Sequence, residues 1–198
     1  PSEKPIAHRC FSISFGEDLV MHYGDEKRMG KIYLVPKDEY GGIPGFLTQG
    51  IDILSPEFTL DRFLSFAKKC RKQARVFIMD QSQLSAIGNA YADEILFHAK
   101  IHPKTTVSDL DDCERERLYT SIVEIMNWGI DEVAKAAQPI EVKVRDHMRV
   151  RNRKDSPCPV CGATIRRANV LGYDSFFCPS CQKPKREQFI NWSELPHA

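Results

Sequence analysis

Two short cysteine pairs limit what this chain can be more than anything else in it. Cys158-Pro159-Val160-Cys161 and Cys178-Pro179-Ser180-Cys181 are separated by sixteen residues. Two such knuckles present four thiolates to one tetrahedral ion, which is how a structural zinc site is built. The segment between them reads as a β-hairpin: Ile165-Arg166-Arg167, a turn near Leu171-Gly172-Tyr173-Asp174, then Ser175-Phe176-Phe177. Gly162 follows the first knuckle, where a backbone folding around a metal often needs positive φ. The alternative is two disulfides, but no charged-then-apolar leader is seen and the seven cysteines are an odd number. Cys10, Cys70 and Cys113 stand in apolar or helical contexts and are expected to be buried free thiols. Four cysteines closed on the ion leave no open coordination position, so the expected zinc is structural and not catalytic.

With 198 residues there is enough chain for one large or two small domains with a real core. The hydrophobic share of 42% includes no run approaching the length of a membrane span, so no membrane partner is expected and the reduced cytoplasm is the expected compartment. A net charge of +1 hides an asymmetry: residues 143–186 hold eleven Lys and Arg against three acids. Such a basic stretch on a zinc ribbon fits a nucleic-acid surface; a solvated basic face is the competing reading.

In chain order, residues 1–8 read as a loop. Phe11, Ile13 and Phe15, then Leu19, Met21 and Tyr23, alternate with polar or exposed neighbours, and Ile32-Tyr33-Leu34-Val35 follows, predicting a three-strand meander. So thin a sheet opening the chain suggests a larger β-domain with strands upstream. Pro36–Pro56 reads as a linker, with Ser55-Pro56-Glu57 as a helix-start signal. Leu60, Phe63, Leu64 and Ala67 fall at helical spacing behind a Thr59 cap. Tyr91, Ile95 and Ala99 mark a second helix after Gly88-Asn89. A third begins after Asp111-Asp112, with Leu118, Ile122, Ile125, Met126 and Val133 on one face. Residues 57–137 are thus expected to be all-helical, and 141–152 to run as an extended basic connector into the ribbon.

These residues carry a resemblance. Asp80-Gln81-Ser82, then Ala86-Ile87-Gly88-Asn89-Ala90-Tyr91-Ala92-Asp93-Glu94 and Ile101-His102-Pro103, resemble the helix–two-turn–helix element of the formamidopyrimidine-DNA glycosylase / endonuclease VIII family. The ribbon, to Phe177-Cys178-Pro179-Ser180-Cys181-Gln182, is similar to that family's zinc finger, and Asp25-Glu26-Lys27-Arg28-Met29-Gly30 to its Asp-Pro-Arg-Arg-Phe-Gly strand turn.

The resemblance implies base-excision repair: a damaged base is flipped out, its glycosidic bond is cut, and the strand is nicked at the abasic site. It implies that Asn89 donates to DNA phosphates, a role that suits a helix N-terminus, where the alternative is a helix cap. Arg75 matches a phosphate-facing lysine, with a solvated helix-end base as the alternative. Arg28 and Met29 match the residues that fill the gap left by the flipped base, a plain surface turn being the alternative. Tyr173 stands where much of the family has a phosphate-gripping arginine; it brings a hydroxyl but no charge, which Arg166 or Arg167 would have to supply. The family's nucleophile is an N-terminal proline followed by a glutamate, whereas Pro1 is followed by Ser2, too close to the strand turn.

The expectation is therefore an α+β chain. It comprises part of an antiparallel β-domain (residues 1–50), a helix–two-turn–helix DNA-binding domain (51–140), a basic connector with a zinc-ribbon hairpin (141–190) and a tail (191–198). It resembles the C-terminal two-thirds of a DNA glycosylase / AP lyase whose nucleophile lies outside these residues. By itself the chain is expected to be inactive. The expected partners are one zinc ion, double-stranded DNA with a damaged base or abasic site, and the missing N-terminal segment; otherwise a monomer at the nucleoid is expected. A non-catalytic module for damaged or abasic DNA is the alternative.

Overall fold

The computed structural model describes residues 8–139 and 142–185. Two compact units divide at Leu47–Thr48.

In the first unit, β1 (Arg9–Phe15) and β2 (Leu19–Gly24) form an antiparallel hairpin in which Phe11 faces Tyr23 and Phe15 faces Leu19. Phe11 and Tyr23 stack at 5.3 Å. The expected third strand is absent: Ile32–Val35 carries no strand, and Leu34 is fully exposed. Alternation alone cannot make a strand where no neighbour offers a ladder to pair with.

The second unit is built on helices. A parallel pair of two-residue strands, β3 (Ile51–Asp52) and β4 (Leu84–Ser85), breaks the expected all-helical stretch. Gly50 lies so close to this pair that a Cβ would fall 2.1 Å from the Gln83 carbonyl carbon. The Ser55-Pro56-Glu57 start signal forms a turn instead, and α1 (Leu60–Ala67) begins five residues later, with Thr59 Oγ1 accepting from the Arg62 amide. Then come α2 (Ala74–Ile78), α3 (Asn89–His98) and α4 (Asp112–Ala136). Asp111 and Glu114 form a reciprocal capping box at the start of α4, satisfying two orphan amides at once.

Phe63, Phe77, Ile78, Leu84, Leu118 and Ile122, all fully buried, lie at the heart of the helical core. Phe58, Phe63 and Tyr119 form an aromatic knot, and the Tyr119 hydroxyl donates to the Phe58 carbonyl at 3.0 Å. α4 crosses α3 so closely that a Cβ on Gly129 would sit 2.2 Å from Tyr91 Cε1. Ile125 and Met126 are buried as expected, but Val133 is 44% exposed, because the last turns of α4 run past the core. Of the three lone cysteines only Cys70 is buried; Cys10 and Cys113 are exposed.

The ribbon is a hairpin of β5 (Arg166–Val170) and β6 (Tyr173–Phe177), with Leu171 and Gly172 at its tip, both at positive φ. It does not stand on a core of its own: Phe97 from α3 packs among Val150, Cys158, Ile165, Phe176 and Cys178. Nor do residues 142–152 form the extended connector expected. They run through turns, with Met148 and Val150 buried, Arg149 lying over Trp128 at 4.8 Å, and His147 edge-on to the same ring.

Candidate nucleic-acid interface and metal centre

The four Sγ atoms of Cys158, Cys161, Cys178 and Cys181 lie within 4.8 Å of one another. A zinc ion at about 2.3 Å from each sulfur requires such a spacing. Backbone amides of Val160 and Cys181 donate to the sulfurs of Cys158 and Cys178 at 3.5 Å, as thiolate ligands require. The Ala163 amide and the neighbouring thiols pull Cys161 down to about 6, while burial pushes Cys178 and Cys181 up. Four sulfurs with no oxygen or nitrogen donor make one closed, structural zinc site. Gly162 does adopt positive φ, at 75°.

Next to the four sulfurs in sequence, Gln182 is fully buried and joins two elements: its Oε1 accepts from the Cys178 amide and its Nε2 donates to the Ile101 carbonyl, each at 2.9 Å. His102 meets Phe177 edge-on at 4.7 Å and accepts from the Lys104 amide. Burial lowers His102 to about 4, so it stays neutral at pH 7.

The middle of α3 holds an acidic pair, Asp93 and Glu94, that the sequence reading treats only as part of a motif. The Glu94 carboxylate, 1% exposed, accepts the amides of Arg149, Val150 and Arg151 at 3.0, 2.9 and 2.9 Å. Asp93 receives Arg75, Arg151 and the Ser175 hydroxyl. Burial pushes its carboxyl up and pulls the Arg75 guanidinium down, while the two guanidiniums act against that rise at Asp93.

Arg75 is therefore not a solvated helix-end base: it is 1% exposed and its guanidinium points inward. Its Nη1 donates to Asp93, and its Nη2 donates to Asn89 Oδ1 at 3.0 Å and the Asp174 carbonyl at 2.9 Å. Nothing in the local sequence could signal this, since the partners lie 14, 18 and 99 residues away.

Asn89 is exposed and is the first residue of α3; the capping position belongs to Gly88, which provides no side-chain cap. The helix therefore begins with unsatisfied amides and a partial positive charge. The turn before it is braced by Gln81, whose side chain accepts from the Ala86 amide and donates to the Ile87 carbonyl, holding Ala86 at φ 79°.

On the hairpin, Tyr173 is half-exposed and lines a small cavity of about 260 Å³ with Lys72, Arg75, Val76, Met79, Asp80 and Leu171. Arg166 and Arg167 are adjacent in one strand and so point to opposite faces. Arg166 lies opposite Phe177, at the far end of the hairpin from Tyr173, and Arg167 contacts Asp174 at 3.4 Å. The bases that share the Tyr173 cavity are Lys72, paired with Asp80, and Arg75, turned inward onto Asp93. Several of the basic residues counted in the sequence are likewise engaged within the fold. Arg151 binds Asp93, Arg153 donates to the Met148 and Asp146 carbonyls, and Lys185 binds Glu114.

In the first unit, Asp25 shapes the strand turn. Its carboxylate accepts the Lys27 and Gly30 amides at 3.0 and 2.7 Å, and donation from Gly30 and its neighbours lowers it below the usual carboxylate range. The turn presents Arg28 at φ 51° and leaves Met29 76% exposed. A non-glycine residue in that region is strained, as residues at functional turns often are. Pro1 and Ser2 lie outside the described residues, as does Arg186. Among the described residues no helix is long and apolar enough to cross a membrane.

A braced two-turn element feeding an uncapped helix, with a four-cysteine hairpin locked to that same helix, defines a helix–two-turn–helix protein of the zinc-finger class. Residues 49–139 match the "Formamidopyrimidine-DNA glycosylase H2TH domain" and residues 155–184 the "Zinc finger found in FPG and IleRS". The formamidopyrimidine-DNA glycosylase of Desulforamulus reducens is 32% identical, covering 93% of this chain and 68% of the relative; that of Pelotomaculum thermopropionicum is 31% identical, covering 90% and 66%. In structure, the MutM (Fpg) protein of Thermus thermophilus matches with a TM-score of 0.82 at 27% identity, over 92% of this chain and 71% of that one. Lactococcus lactis Fpg, solved with DNA containing an abasic site, matches at 0.77 and 28%, over 92% and 68%. The chain belongs to the formamidopyrimidine-DNA glycosylase family, and it spans about two thirds of the length of these relatives.

Proposed function

We propose that these residues form the DNA grip of a base-excision glycosylase / AP lyase that acts inside the cell, at the nucleoid, on double-stranded DNA bearing a damaged base or an abasic site. The observation that carries this reading is Asn89. It is exposed on an uncapped helix N-terminus, with its carbonyl end taken by Arg75, so that its NH₂ faces out as a phosphate donor. Tyr173 adds a hydroxyl on the neighbouring hairpin, and Arg28 with Met29 supplies a cation and an apolar wedge for the space a flipped base vacates. Removal of the base and cleavage of the strand by the whole protein depend on that grip. The L. lactis relative bound to abasic-site DNA supports the choice of ligand.

The test is titration of zinc-loaded chain against duplexes with and without a stable abasic-site analogue, across a range of salt. Asn89→Ala should weaken abasic-duplex binding about tenfold, the worth of one hydrogen bond to a charged group. Arg166→Ala with Arg167→Ala should flatten the salt dependence by about one phosphate contact, since the two side chains point to opposite faces of the hairpin. Unchanged affinity and slope in both variants would place the DNA on another face.

A further inference from the structure

Resting on that reading, the geometry points to Arg75 as the residue that positions the phosphate grip, by clamping Asn89 and the start of β6 in the zinc hairpin with one guanidinium. A guanidinium has five N–H donors and no acceptor, so the Asn89 atom facing Arg75 must be the carbonyl oxygen. That fixes the amide: its two N–H bonds have no choice but to point away from Arg75, at the start of α3.

The same Nη2 donates to the Asp174 carbonyl, the residue after Tyr173, while Nη1 holds Asp93 inside α3. One planar group therefore sets the relation of three things: the helix end, the Asn89 amide and the strand carrying Tyr173. Stability alone does not account for it. Arg75 is buried with its Nε lacking a partner, and buried ion pairs of this kind are commonly matched or bettered by apolar side chains of similar volume. What an apolar side chain cannot do is orient an amide. A lysine would keep the charge opposite Asp93 but has one nitrogen on a flexible stem, and cannot reach Asp93, Asn89 and the Asp174 carbonyl in the same fixed plane.

The test is a double-mutant cycle on the zinc-loaded chain, using an abasic-analogue duplex as the probe and thermal unfolding as the stability control. Arg75→Met, which cannot itself meet a phosphate as the matching lysine can, should weaken DNA binding about tenfold in the natural background and have no further effect in the Asn89→Ala background. An equal loss in both backgrounds shows that Arg75 acts only on the fold and overturns the inference, as does no loss in the natural background. If Asn89→Ala itself leaves binding unchanged, the reading of the interface fails with it, so the two failures are distinct.

Asn89→Asp gives a check that leaves Arg75 intact. It keeps the oxygen that Arg75 holds but replaces the outward donors by a carboxylate oxygen. Binding should fall below that of Asn89→Ala at low salt, with the melting temperature unchanged. Binding equal to the unaltered chain would show that the outward amide is not the group that meets the phosphate, and would overturn the assignment.

Discussion

Replacing Glu94 by alanine should separate the ribbon from the helices without touching a single zinc ligand. The Glu94 carboxylate accepts three consecutive amides, those of Arg149, Val150 and Arg151. Each bond to a charged acceptor is worth about 1.5–3 kcal/mol, but the three are not equal losses. Arg149 is exposed and Arg151 half-buried, so water can reach their amides once the carboxylate is gone. Val150 is fully buried, so its amide is left dry and unpaired. The expected cost is therefore about 3–5 kcal/mol, the range for breaking a buried charged partnership, and not the sum of three full bonds. For a chain of this size that lowers the melting temperature by roughly 10 °C. Glu94→Gln should cost about 1–2 kcal/mol, because its carbonyl still serves Val150 and Arg151 while its NH₂ opposes one amide. Urea unfolding of the zinc-loaded variants, followed by circular dichroism, reads both values. A loss below about 1 kcal/mol for the alanine variant, or equal losses for both, would refute the anchoring role.

Stripping zinc with a chelator under reducing conditions should loosen the hairpin and Val150 while leaving α1–α4 largely helical, because residues 53–126 hold a core of their own. Amide exchange should show loss of protection in β5 and β6 first; metal analysis finding no zinc in fresh, reduced protein would contradict the site itself. His102 should contribute an acid-sensitive term: it is held near 4 in the fold against about 6.5 when unfolded, so its contribution is complete above pH 6.5 and is lost as pH falls toward 4. At pH 5 that loss is about 2 kcal/mol, and His102→Asn should remove it; an unchanged pH dependence in that variant would assign the acid sensitivity elsewhere.

Local chemistry made the metal site legible. Four cysteines at knuckle spacing need only a hairpin between them, and Thr59 and Asp111 announced their helices by cap residues alone. The helix–two-turn–helix order was legible through resemblance, and Gly88, not Asn89, caps α3. What stayed hidden was pairing over distance. Ile32–Val35 has the alternation of a strand but no neighbour, and no property of those four residues reveals that. Arg75 looks like any base near a helix end until Asp93 and Asp174 are brought to it by the fold. The basic stretch overstates the open charge for the same reason: charge counts do not distinguish Arg151, turned onto Asp93, from Arg166 in the open.

Phe97 gives the helices and the ribbon a shared fate. It sits on α3, yet the side chains that cover it come from residues 150–178. During synthesis the helical core is complete tens of residues before the ribbon emerges, so for that interval α3 displays a bare aromatic ring near the Glu94 carboxylate, whose three amide donors have yet to arrive. Any fragment ended at the close of α4 keeps that unfinished face permanently. The natural seam for dissecting the molecule is therefore at Leu47–Thr48, and a cut near residue 140, however inviting in the sequence, would yield a sticky, charged half-product rather than a domain.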